Sequence, residues 1–289
     1  MEFYELSNGL SIPKIGFGIH HLDEGQLAVD TTYEAIKAGW RLLETASSFF
    51  NEKSLGLGIE KALNENIVKR EDLIISTKLQ DEMQGYEYTH QAFQNSLEKL
   101  GVDYIDIFAI RLPLIMEEDW QTPLIDSWRA MENLYDEGKI CVLALSNFAA
   151  KHLEFLLENA RIKPMINQLE IHPRFHQYGL QKFCKKNNIL VSSWRSLEYG
   201  KICYNETIMK IARKLEKTPA QIVLRWHIQQ NRLPITRTTH IDRMNENLNI
   251  FDFNLDENEM NIINNLKDPL FKSNQWPTEA IRTHGGINE

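Results

Sequence analysis

Short apolar runs alternate with longer stretches of helical periodicity along most of the chain. The runs read as strands are Lys14–Ile19, Arg41–Glu44, Asp72–Thr77, Ile105–Ile110, Ile140–Leu145, Ile166–Glu170, Ile189–Trp194 and Leu233–Thr236. Between them, Thr89–Leu100 sets Phe93, Leu97 and Leu100 on one face at a period near 3.6. Thr122–Glu137, Ile208–Leu215 and Thr218–Gln230 carry the same period. Thr218-Pro219-Ala220-Gln221 offers a capping hydroxyl, a proline at the first helical position and a glutamine three residues on, which together start a helix.

Alternating strand and helix implies parallel pairing through right-handed crossovers. Eight such units predict a closed (β/α)8 barrel, an α/β fold of the TIM type. The rival is an open doubly wound dinucleotide fold, which wants G-x-G-x-x-G after its first strand. Gly16-Phe17-Gly18-Ile19-His20-His21 and Gly56-Leu57-Gly58-Ile59-Glu60-Lys61 both lack the third glycine, so that fold is rejected. Ahead of the first strand, Asn8-Gly9 between apolar runs in Tyr4–Ile12 signals an N-terminal β-hairpin, predicted to close the barrel bottom. One domain is expected over 1–289. Its tail, 268–289, with Trp276, Pro277 and Gly285-Gly286, reads as a loop near the barrel mouth.

With 289 residues, length alone allows one large barrel or two ordinary domains. A net charge of −8 and a pI near 5.7 argue against broad nucleic-acid binding, which wants a basic face. Cys141, Cys184 and Cys203 lie far apart, so neither disulfides nor zinc is expected, and a cytoplasmic location is. No metal site is read: His20-His21 lacks ligand spacing and no H-E-x-x-H occurs. No basic region followed by an apolar run opens the chain, and no stretch approaches the ~20 apolar residues of a membrane helix.

Four strand-end segments are expected to converge: Leu43–Phe49, Ser76-Thr77-Lys78-Leu79, Ile110-Arg111-Leu112-Pro113 and Ser146-Asn147-Phe148. With Asn51-Glu52, Ser96–Asp106, Asn167–Pro173, Lys217–Gln221 and Arg243–Asn247 leading into Ile250–Phe253, this ordered series resembles the aldo-keto reductase family over nearly the whole chain. The resemblance implies a barrel, a monomer, a small-molecule substrate and a catalytic tetrad of aspartate, tyrosine, lysine and histidine. Here those places hold Glu44, Phe49, Lys78 and Arg111, so only Lys78 is retained.

The resemblance implies NADP(H) as cofactor. Arg237, Thr238, Arg243 and Asn247 stand where the family grips the 2′-phosphate and adenine. Two guanidiniums suit a phosphate dianion through bidentate, charge-assisted bonds. Ser146, Asn147 and Gln168 match residues that hydrogen-bond the carboxamide, and Trp194 takes the place of the tyrosine that stacks on the nicotinamide. Glu198 falls near the expected pyrophosphate position, where it is unfavourable unless Arg195 neutralises it.

The chemical side differs. Phe49 has no proton to give, Arg111 stays charged, and the serines beside Phe49 are too weakly acidic. What remains is a cationic pair, Lys78 and Arg111, with one anion, Glu44. That arrangement leaves three uses open: Lys78 as proton donor, electrostatic stabilisation of an alkoxide, or binding of an anionic ligand. His20 at the pocket edge is either a further acid or a passive wall, and Leu112 is expected to line the substrate pocket. The readings are an oxidoreductase with altered acid–base chemistry and weak or absent ordinary carbonyl reduction; a non-catalytic NADP(H)-binding pseudoenzyme, sensor or scaffold; and a barrel with neither function.

Overall fold

In the computed structural model the described residues are 2–113 and 119–268. The tail expected near the barrel mouth falls outside them, apart from its first residue.

Eight parallel strands close into a barrel. They are β3 (Gly16–Gly18), β4 (Leu42–Glu44), β5 (Ile74–Leu79), β6 (Ile105–Ile110), β7 (Ile140–Ser146), β8 (Ile166–Glu170), β9 (Leu190–Trp194) and β10 (Arg232–Thr236). Each pairs with its neighbour in sequence, and β10 closes on β3 through Ile235 opposite Gly16. Ten helices are described, among them α1 (Gln26–Ala38), α2 (Glu52–Asn64), α3 (Tyr86–Leu100), α8 (Pro219–Gln229) and α9 (Ile241–Leu248). The expected cap of α8 forms: Thr218 Oγ1 accepts from Gln221 N, and Gln221 Oε1 accepts from Thr218 N.

Strand alternation divides the core. Ile107 and Ala109 of β6 point into the barrel with Leu42, Val142, Ala144, Ile166, Leu233 and Ile235, whereas Phe108 and Ile110 pack under the helices. The N-terminal hairpin, β1 (Phe3–Glu5) against β2 (Ser11–Pro13), adds Leu6 and Ile12 to the inner cluster. Tyr4 Oη donates to the carbonyl of Arg232, and Asn8 Nδ2 to that of Cys141, at the N-terminal ends of β10 and near that of β7. The hairpin therefore closes the bottom, leaving the C-terminal end open.

Both Gly-x-Gly pairs serve packing. A Cβ on Gly56 would sit 2.4 Å from the Leu100 carbonyl oxygen of α3, and one on Gly58 2.7 Å from that of Val29 in α1. One on Gly16 would meet Ile235 at 2.5 Å and Leu42 at 2.6 Å. Among the described residues no helix is long and apolar enough to cross a membrane.

Candidate active site

The open end of the barrel holds a cavity of about 1070 Å³, at the upper end of the range usual for small-molecule sites. Glu44, Phe49, Lys78, Arg111, Ser146, Asn147, Gln168, Trp194, Arg237, Thr238, Arg243 and Asn247 all border it, as does His20. These residues come from all eight strand ends and the helix after the last, which is the way a barrel assembles a site.

Lys78, second from the end of β5, is buried at 4% exposure, and its Nζ lies 2.9 Å from Glu44 Oε1. Burial lowers its proton affinity; Glu44 opposes that and Arg111 reinforces it, and the net direction is down. Phe49 sits in a 3-10 turn after β4, its ring centre 5.5 Å from Lys78 Nζ and packed, tilted by 46°, against His20 at 4.3 Å between centroids. Burial, together with His21 and the cations Lys78, Arg237 and Arg111, pushes His20 down to about 3, so its imidazole is neutral. Of the two uses left open for His20, this environment favours the wall.

Arg111, just past β6, is ion-paired with Asp81 in the short turn after β5. The expected count of two cations to one anion is therefore corrected to two ion pairs, Lys78–Glu44 and Arg111–Asp81. Asp81 is raised to about 6, chiefly because burial disfavours its charge, with Arg111 pulling the other way. Sequence reasoning missed it, since nothing in Gln80-Asp81-Glu82 signals a partner beyond the next strand.

Among the residues expected to face a nicotinamide, Trp194 closes β9 and its indole N–H donates to Asn147 Oδ1 at 2.8 Å. Asn147, left-handed at φ +65, donates from Nδ2 to Ser146 Oγ and to the Arg111 carbonyl. Gln168 Nε2 donates to Glu44 Oε2, tying β8 to β4 across the barrel.

At the opposite end, Arg237 and Arg243 reach the cavity with Thr238 and the buried Asn247. Arg237 Nη1 donates to the His20 carbonyl at 2.8 Å. Thr236, also unsuspected from sequence, borders the cavity at 5% exposure, and its hydroxyl has no hydrogen-bond partner among the described residues.

Two expectations are corrected here. Glu198 is neutralised by Arg174, which donates from Nε and Nη2 to its two carboxylate oxygens; Arg195 pairs instead with Glu170 at 2.7 Å. Left-handed backbone at both Arg195 and Glu198 turns successive side chains apart, and Glu198 is buried at 1% exposure off the cavity wall. Leu112 is also buried, its carbonyl held by Gln84 Nε2, and it does not border the cavity formed by the described residues.

Residues 14–268 match the Aldo/keto reductase family. The chain is 40% identical over 262 residues to the glyoxal reductase of Bacillus subtilis, covering 91% of each. An aldo/keto reductase crystal structure from Brucella melitensis superposes with a TM-score of 0.85 at 36% identity, over 92% of this chain and 99% of that one. The aldo-keto reductase of Bombyx mori, solved in complex with NADP, gives a TM-score of 0.86 at 28% identity, covering 95% and 96%. The chain belongs to the aldo/keto reductase family.

Proposed function

We propose that the protein is an NADP(H)-binding oxidoreductase with altered acid–base chemistry, in which ordinary carbonyl reduction is weak or absent. The observation that carries this reading is one cavity bordered by Arg237 and Arg243 at one end and by Lys78 without a phenol at the other.

The donor set fits the cofactor. Arg237 and Arg243 offer forked donors to a phosphate dianion, and Thr236 brings a buried hydroxyl that lacks a bond. The NADP complex of the silk-moth relative supports the assignment. Trp194 provides a π-face whose orientation is fixed by its bond to Asn147. When bound, the nicotinamide supplies hydride for a carbonyl carbon.

The proton for the carbonyl oxygen must come from this chain or from water. Phe49 has none, neutral His20 is far too weak an acid, and the Arg111 guanidinium is both too basic and paired with Asp81. Lys78 is left, and burial makes its ammonium a readier donor than an ordinary lysine. A specialised general acid is typically worth ~10²–10⁴ in rate, which is the deficit expected here. The ligand is a small molecule; an anionic one is a natural class for a reaction centre carrying Lys78 and Arg111.

A specific observation favours the second reading, a non-catalytic NADP(H)-binding protein. Both cations at the reaction centre already have a carboxylate partner without any substrate. Titration with NADPH is expected to quench tryptophan emission through Trp194, with tighter binding than NADH. No response at millimolar NADPH excludes both readings together.

A further inference from the structure

We propose that Lys78 is a nucleophile: its ε-amine, at the floor of the cavity, condenses with a carbonyl compound that enters there and holds it as an imine. The proposal rests on the reading that carbonyl compounds reach this cavity, and it needs no cofactor.

Position supports it first. Lys78 borders the cavity at the mouth end of β5, almost wholly shielded from bulk water. Its nitrogen is held between Glu44, at 2.9 Å, and the carbonyl of Thr45, at 3.4 Å, with the Phe49 ring beyond. A phenol at position 49 would offer a carbonyl oxygen a proton; the ring present offers none. Contact with a carbonyl group therefore falls to the lysine.

Its electrostatics agree. A lysine becomes a nucleophile when desolvation or a neighbouring cation makes the free amine accessible near neutral pH. Burial and Arg111 both act in that direction on Lys78. Glu44 holds the ammonium in place, and at hydrogen-bond distance it is also the base that can take the proton.

The step balances without an oxidant or reductant. Glu44 accepts a proton from the Lys78 ammonium, and the amine lone pair forms a C–N bond as the carbonyl π-pair moves to oxygen. That oxygen takes the proton back from Glu44, and the nitrogen, which still carries two protons and a positive charge, passes one to Glu44, giving a neutral carbinolamine. Glu44 returns this proton to the hydroxyl, which leaves as water as the nitrogen lone pair forms C=N. An aldehyde and the Lys78 ammonium thus become a protonated imine and one water, with Glu44 again a carboxylate.

The test treats the full chain at neutral pH with benzaldehyde, traps any imine with borohydride and maps benzylated peptides by mass spectrometry. Each unit by which a lysine's pKa falls gives roughly tenfold more free amine. Benzylation of the Lys78 peptide is therefore expected to exceed that of every other lysine peptide. In denaturant the preference is expected to vanish. Lys78→Arg is expected to abolish the labelling, and the comparison of native with denatured wild type stands even if that variant does not fold. Even labelling of all lysines in the native chain, or none on Lys78, overturns the proposal. NADPH binding read by fluorescence on the same sample separates the two ideas: binding without Lys78 labelling sinks this inference alone. Labelling without NADPH binding sinks the cofactor reading alone.

Discussion

Arg111 is ion-paired with Asp81 across thirty residues of sequence, from the end of β6 to the turn after β5. The cation at the place of the family histidine thus comes with its own counter-charge. Both side chains are partly shielded, at 33% and 19% exposure. Removing either partner leaves the other less well solvated than in water, a cost of about 1–2 kcal/mol for a pair between surface and core. A double-mutant cycle of Arg111→Gln and Asp81→Asn in urea is expected to show favourable coupling at pH 7.5. The coupling is expected to fade as the pH falls below about 6, where Asp81 takes up a proton. Arg111 favours the charged carboxylate, so the coupling is lost on protonation; the net contribution of Asp81 itself has the opposite sign, because a carboxyl raised by burial binds its proton more tightly when folded and stabilises more as pH falls through that value. Coupling that is unchanged at pH 5 contradicts the assignment.

His20 is held neutral, lowered to about 3. It therefore cannot produce a limb near pH 6.5 in any rate or binding profile, and His20→Phe is expected to leave the shape of such a profile unchanged. The unfolded chain regains an ordinary histidine, so the stability this residue contributes is present above about 6.5 and is lost as pH falls towards 3. A profile limb that disappears in His20→Phe would restore it as an acid.

Thr236 offers a test of the phosphate end that leaves the two arginines untouched. Its buried hydroxyl lacks a partner within the described protein, and a bound phosphate would provide one. Thr236→Val keeps the shape and removes the donor. NADPH affinity is expected to weaken about three- to tenfold, in line with one hydrogen bond of ~1 kcal/mol, while NADH affinity stays level. Equal loss for both cofactors would move Thr236 away from the extra phosphate.

Much of the fold was legible because parallel barrel strands are buried on both faces and read as apolar runs. Ile105–Ile110 and Ile166–Glu170 coincide with β6 and β8, and Asn8-Gly9 marked the hairpin. The members of the site were legible at the strand ends, since topology alone brings Glu44, Lys78, Arg111 and Trp194 to one mouth. Their pairing was not. Arg195 lies three residues from Glu198, yet left-handed backbone separates them, and Glu198 finds Arg174 in the loop between β8 and the helix that follows it. Asp81 and Arg111 meet only because β5 and β6 are neighbours, a contact between loops that no local pattern encodes.

The central feature is a missing phenol at Phe49 beside the proposed NADP(H) cradle. The most direct measurement is the turnover of NADPH with an uncharged aldehyde by the wild type and by Glu44→Asp/Phe49→Tyr/Arg111→His. The wild type is expected to fall below ~1 s⁻¹, the low end of ordinary enzymes, and the triple variant to exceed it by at least ~10-fold. A wild-type rate of ~1–10³ s⁻¹, unimproved by the three changes, would contradict it.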